Sequence, residues 1–128
     1  MNKNKTQITL VRNPNDHTYD KKQAYDLEEK LVLLWMLFDS YIRYNPVDFS
    51  NVKNNIIERN VIGENVIGAT FVDGKWQIYC ELWDDIYEPR LSTDELLELI
   101  HTWYDLIIKK VEKIVMTYEN GKYSISSE

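Results

Sequence analysis

The chain has one cysteine (Cys80), two histidines, four glycines and three prolines in 128 residues. A single cysteine excludes an internal disulfide framework and suits a reducing compartment. The two histidines and the thiol show no CxxC, HxxxH or HExxH spacing, which excludes the usual zinc centres. So few glycines and prolines leave little room for long linkers. GxxxxGK[ST], GxGxxG and GxSxG are absent too, so neither a phosphate-cradling loop nor a nucleophile elbow is visible. The longest apolar run, residues 31–38, is too short to cross a bilayer as a helix. The N-terminal residues MNKNK are not followed by the apolar stretch of a secretory signal. These absences point to a cytoplasmic protein with no cofactor, no metal and no membrane contact.

What is present suits one domain over residues 1–128. Hydrophobic residues make up 44% and charged residues 28%, the ordinary balance of a folded soluble chain. Richness in Asn, Ile and Lys hints at an A+T-rich bacterial or phage genome. The net charge is −6, and it is localised. Within residues 61–100, Glu64, Asp73, Glu81, Asp84, Asp85, Glu88, Asp94, Glu95 and Glu98 stand against only Lys75 and Arg90. The rest of the chain is nearly neutral. Such a field repels nucleic-acid phosphates and anionic membranes and attracts basic proteins. Part of the excess has a local cause, because Asp94 and Glu95 sit where a helix dipole favours negative charge.

Periodicity divides the chain. Residues 6–12 alternate Ile8 and Leu10 against Thr9 and Val11, which predicts a strand ended by a turn at Asn13-Pro14-Asn15-Asp16. Residues 20–44 predict a long helix, with Asp20 and Gln23 at capping-box spacing. Leu27, Leu31, Leu34, Trp35, Phe38 and Ile42 share one face of it, and Leu33, Leu37 and Tyr41 extend the apolar surface round the side. A helix so widely apolar needs neighbours on more than one side and should be the central element. Asn45-Pro46 reads as its stop, because the residue before proline avoids helical backbone. Val52, Ile56 and Ile57 predict a short helix within residues 47–60, capped by Ser50 or Asp48, in competition with a strand over residues 56–62.

Asp73-Gly74 is the sharpest local signal, a two-residue turn suited to the right-handed twist of paired strands. Pairing back from it sets Phe71 against Trp76, Ala69 against Ile78 and Ile67 against Cys80, with Leu82 continuing that side. The other side carries Thr70 with Gln77, Gly68 with Tyr79 and Val66 with Glu81, followed by Trp83. A slip of one residue would mix the two sets. Ser92 and Glu95 then form a capping box, with Leu91 and Leu96 as a hydrophobic staple, and open a helix running to at least Lys110. Its stripe is Leu96, Ile100, Trp103, Ile107, Val111 and Ile114. Either that helix continues to Gly121, or Asn120-Gly121 is a second hairpin turn pairing Tyr118 with Tyr123 and Met116 with Ile125. The second reading is favoured. The predicted fold is α+β, with two long helices on a small antiparallel sheet containing the Asp73-Gly74 hairpin. Trp35, Trp76 and Trp103 are predicted core residues.

Few residues suggest chemistry. Cys80 lies on the predicted core face and reads as a small hydrophobe rather than a nucleophile. His101 lies one turn from both Glu98 and Asp105, with Tyr104 nearby, so a pocket there could hold a general base or bind a small molecule. The solvated stripe of a helix, shared with Thr102 and Lys109, explains the same spacing and is favoured. Asp84 and Asp85, flanked by Glu81 and Glu88, match neither a glycosidase pair nor a calcium loop.

The segment YCELWDDIYE remains. Tyr79, Glu81, Trp83, Asp84, Asp85, Tyr87 and Glu88 combine large rings with carboxylates. Rings supply contact area at low entropic cost, and carboxylates pair with Arg or Lys, which is the chemistry of a protein-binding hot spot. The competing view is that a helix covers Tyr79 and Trp83. The reading is therefore a non-enzymatic acidic protein that inhibits a basic protein partner, a toxin or nuclease. Its character is that of immunity proteins against nuclease toxins, or of phage inhibitors of host defence nucleases. A small enzyme around His101 and an oligomeric adaptor are the alternatives.

Overall fold

A computed structural model describes residues 5–15, 18–21, 29–42, 45–64, 66–82 and 90–127. Among them the chain is α+β. The elements in order are β1 (Lys5–Arg12), β2 (Tyr19–Lys21), α1 (Glu29–Tyr41), α2 (Pro46–Ile57), β3 (Ile62–Glu64) and β4 (Ile67–Val72). They continue with β5 (Lys75–Cys80), β6 (Arg90–Leu91), α3 (Thr93–Ile108), β7 (Lys113–Glu119) and β8 (Lys122–Ser127). The strands form two antiparallel four-stranded sheets, ordered β2-β1-β7-β8 and β3-β4-β5-β6.

The central hairpin pairs as its sequence predicts. Phe71 faces Trp76, Ala69 faces Ile78 and Ile67 faces Cys80. Asp73 and Gly74 take φ values of 51° and 80°, the positive region such a turn requires. Ile67, Ala69, Trp76, Ile78 and Cys80 are buried. Leu82, expected on the same side, is 74% exposed, because β5 ends at Cys80 and the alternation ends with it. The second hairpin also forms, with Tyr118 opposite Tyr123 and Met116 opposite Ile125.

Two sheets replace the single small sheet that was expected, while the short helix expected within residues 47–60 forms as α2. The N-terminal strand β1 does not join the central hairpin. It lies along β7, from Lys5 opposite Glu119 to Val11 opposite Lys113. Pairing between strands from opposite ends of the chain leaves no local pattern to read.

The helix ends also differ from expectation. Asp20 is not a cap; it pairs with Val11 inside β2. Gln23 and Leu27 lie outside the described residues. Asn45-Pro46 is a helix start rather than a stop. The Asn45 side chain accepts from the Val47 N–H at 2.9 Å, and Pro46 sits in the first turn of α2, where no N–H is needed. Ser50 and Asp48 are inside that helix. At α3 the capping box forms as predicted. Ser92 Oγ accepts from the Glu95 N–H at 3.1 Å, and the Glu95 carboxylate accepts from the Ser92 N–H at 2.9 Å. This helix stops at Ile108, and Lys110 turns the chain at φ 55°.

α1 is the central element. Leu31, Leu33, Leu34, Leu37 and Phe38 are buried, and the helix contacts strands of both sheets. α3 lies against β5, β6 and β8, and α2 against α3. Trp76 and Trp103 are in the core as predicted, whereas Trp35 is only partly buried. The Trp35 ring nitrogen donates to Tyr19 O at 2.8 Å. Tyr19 is bonded at two further points: its N–H donates to Asp39 Oδ1 at 3.0 Å, and its hydroxyl donates to Val111 O. β2 is thus fastened to α1 and to the segment before β7. Among the described residues, no helix is long and apolar enough to cross a membrane.

Candidate functional site

Alternation along β5 turns Tyr79 away from the core, and Glu81 follows the end of the strand. The helices close over the other face, which carries Ile67, Ala69, Ile78 and Cys80. Glu81 is exposed, and its N–H donates to Val66 O at 2.7 Å, so the hairpin pairing runs one step past the end of β5. Tyr79 is half-buried opposite Gly68. A Cβ built at Gly68 would lie 2.7 Å from the Tyr79 hydroxyl and 2.9 Å from its ring, so the ring lies across the glycine backbone. The Tyr79 ring thus packs on its own sheet. Trp83, Asp84, Asp85, Tyr87 and Glu88 lie outside the described residues.

The acidic stretch divides in space. Lys75 opens β5 and Glu81 follows its end, which at about 3.3 Å per residue puts them roughly 20 Å apart. Glu95 belongs with the Lys75 end, its Oε1 4.0 Å from Lys75 Nζ. The Ser92 backbone N–H holds the Glu95 carboxyl below its ordinary pKa, with the Ser92 hydroxyl, Lys75 and Lys122 helping against partial burial. Carboxylates continuous in sequence thus occupy two ends of the second sheet.

The His101 group packs on Phe49 of α2. His101, Glu98 and Asp105 are exposed, as the solvated stripe predicts. The His101 ring stands edge-on to Phe49, with centroids 5.3 Å apart, and Tyr104 is buried in a stack on the same Phe49 at 3.9 Å. Cys80 is buried, as a small hydrophobe would be. Among the described residues, no group of three or more His, Cys, Asp or Glu side chains is placed to hold a metal ion.

Sequence reasoning did not find the cleft between α3 and β8. It measures about 260 Å³. Leu91, Glu95, Glu98, Leu99 and Thr102 form one side, and Lys122, Tyr123, Ser124 and Ile125 the other. Glu95, Glu98, Leu99 and Thr102 do follow helical spacing. The strand opposite them becomes visible only once the β7–β8 register and its place beside α3 are known. His101, Tyr104 and Asp105 do not line this cleft. Comparison of the chain with protein-family models, with curated proteins and with solved structures finds no match.

Proposed function

We propose that this chain is a non-enzymatic cytoplasmic binding protein that captures and inhibits a basic protein partner. Immunity proteins against nuclease toxins and phage inhibitors of defence nucleases are the functional type. The observation that carries this reading is the concentration of nine acids against two bases in residues 61–100. Tyr79 and Glu81, at the head of its aromatic-acidic segment, support it: Glu81 is exposed, and Tyr79 is half-buried on the side of β5 opposite the buried Ile78 and Cys80. Carboxylates close together, as Glu81, Asp84, Asp85 and Glu88 are in sequence, mimic the phosphates a nuclease is built to hold. They draw a basic partner in rapidly, and the rings supply the contact that slows its escape.

The test is capture from the proteome of the source organism, followed by binding kinetics with the captured protein. A basic protein whose association slows steeply with salt is the expected result, since exposed charges are screened within about 8 Å at physiological ionic strength. Reversing Asp84 and Asp85 to Lys should lower mainly the on-rate, and Trp83→Ala should raise mainly the off-rate. An acidic partner, or association indifferent to salt and to these changes, overturns the proposal.

A further inference from the structure

Among the described residues each sheet has two edge strands: β2 and β8 in the first, β3 and β6 in the second. An edge strand offers backbone groups to any other chain, and proteins blunt edges with short strands, charges or proline. β2 and β3 are three residues long, and β6 is two. β8 has six residues, and after Lys122 it reads Tyr-Ser-Ile-Ser-Ser, without charge or proline.

The turn fixes which of its amides face outward. In a two-residue hairpin the closing pair, here Glu119 with Lys122, is hydrogen-bonded, and pairs alternate from there. Met116 with Ile125 and Ile114 with Ser127 are then the non-bonded kind. The N–H and C=O of Ile125 and Ser127 therefore point away from β7.

The cleft runs beside this edge. Leu91, Leu99 and Ile125 make its apolar part, and Glu95 and Glu98 stand on the α3 side. Glu95 is engaged by its cap and by Lys75, whereas Glu98 is exposed. An extended segment along β8 would turn alternate side chains toward that wall. A Lys or Arg there meets Glu98; an Asp or Glu meets like charge. A second copy of this chain fits poorly, because two-fold pairing of β8 edges brings two acidic α3 walls together.

We propose that β8 and the facing side of α3 form a strand-addition site for an extended basic segment of the partner. The segment bonds to the Ile125 and Ser127 backbone and sets a basic side chain against Glu98. This rests on the reading of the chain as a receptor for a basic protein.

The test titrates the isotope-labelled full chain with a short peptide of alternating Lys and Val, and with its Glu-Val counterpart, at low salt. The Lys peptide should shift the Ile125 and Ser127 amides and slow their hydrogen exchange; the Glu peptide should not. Glu98→Lys, at an exposed helix position, should weaken binding about tenfold through one lost pair and one repulsion. Ser127→Pro removes an outward N–H without touching the β7 ladder and should weaken it too. Unchanged Ile125 and Ser127 amides, or parent-like binding by both variants, overturns the proposal. Shifts confined to Tyr79 and Glu81 overturn it while leaving the basic-partner reading intact. Shifts nowhere count against both. A dimer held by β8 makes a second copy the occupant and also overturns it.

Discussion

Glu95 accepts from the Ser92 N–H, stands 4.0 Å from Lys75 and lines the cleft beside β8. Its depressed pKa makes a statement about stability. The folded chain releases this proton more readily than the unfolded chain, whose value is near 4.5. The carboxylate therefore adds stability above that pH, and the contribution disappears as pH falls through the lower folded value. Glu95→Gln keeps an acceptor but removes the charge. In urea unfolding it should be less stable than the parent at neutral pH, and the difference should shrink in acid. Ser92→Ala should cost about 1 kcal/mol, since it strips the other half of the box. A Glu95→Gln deficit that stays constant with pH would show that the charge itself contributes nothing.

At the scale of elements, α2 and α3 end in the same way. Beyond the C-caps Glu58 and Lys109, Arg59 and Lys110 adopt φ of 62° and 55°. The Asn60 N–H donates to Asn55 O and the Arg59 N–H to Ile56 O. The Val111 N–H donates to Leu106 O and the Lys110 N–H to Ile107 O. This is the Schellman pattern, which usually places glycine at the left-handed position. Lys110→Gly should relieve that strain and raise stability by about 0.5–1 kcal/mol, net of the extra freedom glycine gives the unfolded chain. In Arg59→Gly the gain is offset in part, because the Arg59 guanidinium sits 5.1 Å above the Phe71 ring and that contact is lost. Denaturant midpoints of the two variants check the sign.

These endings also explain where the sequence was legible. The two hairpins carry Gly74 and Gly121 at their turns, and their registers were readable residue by residue. The helix C-termini carry no glycine, so α3 was read past its end. Asn45-Pro46 was misread because the same pair stops one helix or starts the next, depending on which side it caps. At the candidate site, the outward alternation of Tyr79 was readable from the hairpin. The cleft was not, because it needs β8 beside α3, a juxtaposition set by packing rather than by local pattern.

Over the whole molecule, the two sheets meet through α1 and α3. Trp103 of α3 is 1% exposed, with the rings of Tyr19 from the first sheet and Phe38 from α1 each 5.8 Å away. Trp76 fills the second sheet's side, and its ring nitrogen donates to Thr93 Oγ1 at 3.2 Å, at the start of α3. One hydrophobic cluster thus draws residues from both sheets and all three helices. Trp103→Ala should destabilise the chain by about 3–5 kcal/mol. Among the described residues the Trp103 ring nitrogen has no acceptor, so the loss is one of packing and not of a hydrogen bond. Trp103→Phe should for that reason cost much less. If the cluster makes the two sheets one cooperative unit, amides of β1 and β7 and amides of β4 and β5 should lose exchange protection by the same factor in Trp103→Ala. Faster exchange in the first sheet alone, with β4 and β5 unchanged, would mean that α1 carries no stability from one sheet to the other.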